Sequence, residues 1–138
     1  MCGIIGIQNN SEAAMLAYMG LYAQQHRGQE GAGIVSSDGV HLYRHMGQGL
    51  VSDVFSDPNV FDGLTGNSAI GHVRYSTTGD SDKKNVGPLT FNMGDYYLSI
   101  AHNGNLVNIE DIRVDLQEKG ALFQTSTDTE IIINLIAR

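Results

Sequence analysis

The chain has 138 residues, room for one domain with its own core, and 41% hydrophobic against 17% charged residues excludes wholesale disorder. Eight Lys+Arg against 15 Asp+Glu give a net charge of −7, which argues against a general polyanion binder, since phosphate backbones demand clustered cations. No run approaches the roughly 18 apolar residues of a membrane span, no basic-then-apolar signal segment opens the chain, and one cysteine excludes an internal disulfide framework and any all-cysteine zinc or iron–sulfur site. Cytoplasm is the expected compartment.

Residues 1–7 read as a short buried strand, with Ile4, Ile5 and Ile7 among glycines. Asn9, Asn10 and Ser11 form a turn and N-cap, with Glu12 in the first turn of a helix carrying Ala13, Ala14, Met15, Leu16, Met19 and Leu21. That helix ends before the polar group 24–28. Strands at 31–36 and 40–45 are joined by Ser37-Asp38-Gly39, a short hairpin signal. Gly47-Gln48-Gly49 leads into 50–55, and Asp57-Pro58-Asn59 breaks the helix that forms there. A strand over 69–75 runs into Ser76-Thr77-Thr78-Gly79, residues 80–88 are a polar loop, and 89–92 pairs with 96–101. Asn108 caps a helix with Glu110 and Asp111 in its first turn, Lys119 in its last and Gly120 beyond; Ile109, Ile112 and Leu116 form its apolar face. Thr127 and Glu130 make a capping-box pattern ahead of Ile131, Ile132, Ile133, Leu135 and Ile136, a helix still apolar where the sequence stops at Arg138. Hairpin-joined strands mixed with helices define an α+β layered domain rather than a parallel sheet, and so apolar a final helix expects a further sheet to cover.

Cys2 is the only thiol and sits where trimming of Met1 exposes its α-amine. That amine titrates near 8, close to the thiol, so one residue would hold both nucleophile and general base; a lone cysteine read by itself is a small core hydrophobe. Asn103-Gly104-Asn105 is a hairpin-turn signal or an oxyanion hole, in which an Asn carboxamide and a Gly N–H converge on a developing negative oxygen. Arg74 shares strand parity with Ile70 and His72, and a buried guanidinium must find an anion, either an internal carboxylate or that of a substrate. Asp128, in the first turn of the last helix, is a cap or an ammonium partner. Residues 47–52 lack the last glycine of the dinucleotide fingerprint, His41 and His45 have no accompanying carboxylate cluster for a metal, and aromatic residues without basic interleaving give no nucleic-acid platform.

Taken together, Met1-Cys2-Gly3-Ile4-Ile5-Gly6-Ile7, Gln25-His26-Arg27-Gly28-Gln29-Glu30-Gly31, Gly71-His72-Val73-Arg74-Tyr75-Ser76-Thr77-Thr78-Gly79, Ala101-His102-Asn103-Gly104-Asn105-Leu106 and Ser126-Thr127-Asp128-Thr129-Glu130 resemble the class II glutamine amidotransferases. The wording is most similar to the branch that passes ammonia to phosphoribosyl pyrophosphate to form phosphoribosylamine, the opening step of de novo purine synthesis. The glucosamine-phosphate synthase branch, the alternative, has Tyr-Arg-Gly in place of His26-Arg27-Gly28 and Trp in place of Tyr75. The resemblance implies an N-terminal-nucleophile hydrolase fold, an αββα sandwich of antiparallel sheets, of which residues 1–138 would be the N-terminal portion, incomplete at the C-terminus and without a phosphoribosyltransferase domain. It implies Cys2 as nucleophile, Asn103 and Gly104 as oxyanion hole, Arg74 on the glutamine α-carboxylate, Asp128 on its α-amine and Arg27 bracing the cysteine loop. L-Glutamine would be the ligand, and no metal or cofactor is implied for this chain. Mg2+ would serve only the absent phosphoribosyltransferase domain, the partner of this chain in a homo-oligomeric full-length protein. Gly87 departs from the family, which usually carries glutamine before Pro88. A second reading is a truncated, non-catalytic glutamine-binding or assembly module that keeps these motifs without turnover.

Overall fold

The computed structural model describes residues 1–75 and 83–137; the expected run through Ser76-Thr77-Thr78-Gly79, the start of the polar loop at 80–82 and Arg138 lie outside the described residues. Four strands, β1 (Gly3–Ile7), β2 (Gly31–Ser37), β3 (Leu42–Gln48) and β4 (Ser68–Arg74), form one antiparallel sheet in the order β1-β4-β2-β3. β2 and β4 are central and β1 is an edge. α1 (Ala13–Ala23) lies across one face, and Ala13, Ala17 and Leu21 are fully buried there against Ala32, Ile34 and Val73. The two alanines let the helix sit close to the strands, while successive strand residues alternate between the faces. The short α2 (Val51–Val54) adds Val51 to this layer, and Tyr18 meets Phe55 and Phe61 edge-on with ring centroids 5.8 and 5.5 Å apart. A single further turn, α3 (Val60–Gly63), follows the Asp57-Pro58-Asn59 break.

The opposite face of the sheet carries residues 85–88. A Cβ on Gly33 would stand 2.3 Å from the Gly87 carbonyl oxygen, so only glycine allows this close approach. Val86 and Pro88 are buried by it. The chain then enters a two-stranded antiparallel sheet, β5 (Leu89–Asn92) and β6 (Tyr97–Ile100), before α4 (Ile109–Glu118) and α5 (Asp128–Ile136), which pack on each other; Leu116 of the first and Ile131 of the second are buried. Gly120, at φ 88°, ends α4, with Ala121 N–H donating to Leu116 O and Gly120 N–H to Gln117 O, both at 2.9 Å. The fold is a mixed α+β domain with antiparallel sheets.

Several local expectations shift. Ile4 is 45% exposed, because it points away from α1 on an edge strand whose outer face is open. Glu12 stands at the N-cap, not in the first turn, and its N–H is taken by the Asn10 Oδ1 at 2.8 Å. Asp38 Oδ1 accepts the N–H groups of Val40 and His41 at 2.9 and 2.7 Å, which spends both residues in the turn and delays β3 to Leu42. Lys119 is the C-cap of α4 rather than part of its last turn. The loop expected over 80–88 contains a 3-10 turn at Lys83–Asn85. Thr127 and Glu130 do not form a capping box: the Glu130 carboxylate reaches back past the N-cap to accept N–H groups of Gln124 and Thr125 at 2.8 and 2.7 Å.

The glycine at 33 gives a direct test of this packing. Gly33→Ala drives a methyl group into backbone and is expected to cost about 1–3 kcal/mol or more. Gly6→Ala, on the same face of the edge strand with nothing within 4 Å of the added Cβ, should stay within about 0.5 kcal/mol of the parent. Urea midpoints of the two variants measure the contrast.

Candidate active site

The ladder of β1 on β4 ends at Gly3 opposite Val73, and this delivers Cys2 to the end of β4. Its thiol donates to the Tyr75 carbonyl at 3.5 Å and accepts the Tyr75 N–H at 3.4 Å. From the side, Arg27 Nε donates to the Cys2 carbonyl at 3.0 Å. Arg27 is placed by a 3-10 turn, Gln25–Arg27, that closes off α1. Gly28 then passes so near β4 that a Cβ would stand 2.5 Å from the Arg74 carbonyl oxygen. The nucleophile candidate is therefore held by backbone and by one guanidinium, with its side chain only half-buried.

Cys2 opens onto a cleft of about 360 Å³, which Arg74, His72, Gly104, Ser126 and Asp128 also line. This is the small end of the range for small-molecule sites, about 300–1,000 Å³. Two larger hollows, about 980 Å³ beside β3 and β5 and about 520 Å³ on the open sheet face, are not lined by the Cys2 thiol. Arg74, the last residue of β4, donates from Nη1 to the Asn85 carbonyl at 2.7 Å, and its Nε lies 3.8 Å from the Glu30 carboxylate. Of the two anions the sequence left open for this guanidinium, an internal carboxylate or a substrate's, Glu30 supplies the internal one. Asp128 opens α5; its Oδ1 is 3.2 Å from His102 Nδ1 and its Oδ2 accepts the Leu106 N–H at 3.1 Å. Gly104 folds over the same histidine, since a Cβ there would lie 2.6 Å from His102 Nε2.

The structure brings Cys2, Arg74, Gly104 and Asp128 together on one cleft, with Arg27 behind the cysteine. It does not bring in Asn103, which is exposed and does not line the cleft. Sequence reasoning missed three participants: His102, Asn85 and the position of His72. The parity of His72 with Arg74 was a signal for the last; Asn85 and His102 act through contacts distant in sequence. Among the described residues, no group of His, Cys, Asp and Glu could hold a metal ion, and no helix is long and apolar enough to cross a membrane.

His72 is 6% exposed, and among the described residues no hydrogen bond of good geometry reaches either ring nitrogen. Burial lowers its pKa from 6.5 to about 4, reinforced by the charges of Arg74 and His102; the nearby backbone of Gly87 and His102 opposes this only weakly. A Cβ on Gly87 would stand 3.0 Å from His72 Nδ1, so any larger residue there, such as the family's glutamine, has to accommodate this ring.

A model of the glutamine amidotransferase domain family matches residues 60–138. Amidophosphoribosyltransferase 2, chloroplastic, of Arabidopsis thaliana is 54% identical over 138 residues, 99% of this chain and 24% of that protein. Amidophosphoribosyltransferase of Lacticaseibacillus casei is 45% identical over 137 residues, 99% of this chain and 71% of that protein. A solved structure described as the allosteric regulatory enzyme of purine biosynthesis superposes with a TM-score of 0.93 at 46% identity, covering 100% of this chain and 30% of that one. The chain belongs to the glutamine amidotransferase family. Within it, the chain corresponds to the N-terminal amidotransferase domain of the amidophosphoribosyltransferases, and it spans about a quarter of the length of the plant relative.

The buried imidazole has a pH signature. Its folded pKa lies below the ordinary 6.5, so the native state prefers the neutral ring. Its contribution is complete above pH 6.5 and is lost as pH falls towards about 4, where the unfolded chain takes up a proton that the folded chain refuses. His72→Gln should flatten the stability profile over that window, by up to about 3 kcal/mol. Urea titrations of parent and variant at pH 7, 5.5 and 4.5 check this, and parallel profiles would exclude His72 as the source.

Proposed function

We propose that this chain hydrolyses the side-chain amide of glutamine and that the ammonia serves to convert phosphoribosyl pyrophosphate to phosphoribosylamine, the first step of de novo purine synthesis. The observation that carries the reading is the single cleft on which a thiol, a guanidinium and a carboxylate meet: Cys2, Arg74 and Asp128. A free amino acid presents one carboxylate and one ammonium group, and the two charged side chains complement them. That these relatives are amidophosphoribosyltransferases supports the acceptor half of the proposal. That half belongs to a phosphoribosyltransferase domain outside these 138 residues, to which the Mg2+ requirement and homo-oligomeric assembly would also belong. The finer architecture that goes with this reading is the N-terminal-nucleophile αββα sandwich. Its support is the four-stranded antiparallel sheet, covered by α1 and α2 on one face and by residues 85–88, leading into β5 and β6, on the other.

The chemistry follows from the side chains. With Met1 removed, the Cys2 α-amine takes the thiol proton, and the thiolate attacks the amide carbon of glutamine. The tetrahedral oxyanion is held by the Gly104 N–H and, on turning inward, by the Asn103 carboxamide. The amine returns the proton to the departing nitrogen, ammonia leaves, and water hydrolyses the glutamyl thioester to glutamate and free thiol. Arg74 and Asp128 hold the α-carboxylate and α-amine throughout, while Arg27 fixes the Cys2 carbonyl.

Cys2→Ala in the protein freed of Met1 is expected to abolish glutamate release from glutamine while leaving glutamine binding measurable by calorimetry. Glutamate release that survives the substitution would remove Cys2 from the mechanism. Binding without turnover in the parent itself would instead favour a non-catalytic glutamine-binding module.

Asp128 gives the specificity test. Removing one partner of a desolvated charge pair costs about 2–5 kcal/mol. Asp128→Asn should therefore penalise glutamine by about 30-fold or more in kcat/KM, while hardly changing the rate on glutamine lacking its α-amine. Equal losses on both substrates would reduce Asp128 to a helix cap.

A further inference from the structure

Between Arg74 and Asp128 lies a residue that the chemistry above does not use. Asn85 is 2% exposed, at the end of the 3-10 turn that precedes the buried Val86 and Pro88. Its backbone carbonyl accepts the 2.7 Å hydrogen bond from Arg74 Nη1. Its carboxamide grips a second segment at two points: Nδ2 donates to Ser126 Oγ at 3.2 Å, and Oδ1 accepts the Ser126 N–H at 3.4 Å. Ser126 stands two residues before Asp128. One buried residue therefore touches the guanidinium directly and holds the loop from which the carboxylate side chain emerges.

We propose that Asn85 is a positioning residue that fixes the separation of Arg74 from Asp128, and so makes the cleft select ligands that carry both an α-carboxylate and an α-ammonium group. The proposal rests on the reading of this cleft as a glutamine site. A carboxamide suits the task because it offers one donor and one acceptor side by side, matching the hydroxyl and N–H of a single serine. An aspartate would lose the donor and set a second carboxylate beside the guanidinium. The far side of the same loop is already clamped. The buried Glu130 carboxylate accepts Gln124 N–H, Thr125 N–H and the Thr125 hydroxyl, and Arg113 donates to the carbonyls of Thr125 and Thr127, both at 3.4 Å. With α5 and α4 holding residues 124–127 from outside, Asn85 is the inner contact that ties the loop to the end of β4. Position is what it adds; the loop keeps its fold without it.

The test compares two thiol reagents on Cys2, in the protein freed of Met1: a chloroketone analogue of glutamine, which carries both α-groups, and iodoacetamide, which carries neither. Asn85→Ala should slow labelling by the glutamine-shaped reagent about 3- to 10-fold, the worth of the lost hydrogen bonds, and leave the iodoacetamide rate unchanged. Ser126 is exposed, so Ser126→Ala leaves the fold intact. It removes one of the two contacts and should give a smaller loss with the same reagent alone. The double variant should be no worse than Asn85→Ala, because both act through one contact. Equal slowing by both reagents, an unchanged rate with the glutamine analogue, or additive losses in the double variant would each overturn the proposal. A parent protein that gains nothing from the amino-acid head group would overturn the glutamine reading itself, a result distinct from the others.

Discussion

A guanidinium at the end of a central strand has to be met by acceptors that the strand does not supply, and much of this domain is arranged around that demand. Arg74 closes β4, with its side chain on the face away from α1. Residues 85–88 meet it there, giving the Asn85 carbonyl to Nη1 while Glu30 stands at Nε. They reach it only because Gly33 leaves no Cβ between the sheet and the Gly87 carbonyl. The missing side chain in β2, the buried Pro88 and the cleft beside Cys2 are consequences of one contact between a charged strand end and a polar turn.

The electrostatics of the cleft follow from the same crowding. Burial strips the water from His72, and the nearby charges of Arg74 and His102 add to the effect, so the imidazole is kept neutral. Beyond it, His102 faces Asp128, and the Leu106 N–H supplies that carboxylate with a second partner. Positive and negative groups are thereby separated across a space of a few hundred cubic ångströms, with the thiol at one edge. Such a site is polarised before any ligand enters, which is the preorganisation that the proposed amino-acid ligand calls for.

Much of this was legible in the residues themselves. The shared parity of Ile70, His72 and Arg74 in β4, the apolar run of α1, the glycine just after α4 and the hairpin of β5 with β6 are local patterns that the structure carries. Elsewhere local rules competed. Asp38 took two N–H groups for its turn and shortened β3 at its start, and Glu130 had two loop amides to satisfy, which outweighed capping its own helix. A capping pattern specifies which groups are able to pair; the tertiary surroundings decide which of them are left to pair.

For the site, the sequence by itself determined the chemical inventory: a lone thiol behind Met1, an arginine on a buried strand face, an Asn-Gly turn and an aspartate at a helix start. It also marked the segments that carry them, because strand and helix periodicities are written within a few residues. Only the tertiary structure decided which of these meet. The β1–β4 register carries Cys2 to the end of β4 beside Arg74, 72 positions along the chain, and α5 brings Asp128 to His102, while Asn103 stays outside the cleft. Asn85 could not be read from its neighbours, since its role depends on hydrogen bonds to Arg74 and Ser126, 11 and 41 residues away. Contacts at such separations are set by the packing of whole layers, and no local pattern of side chains encodes them.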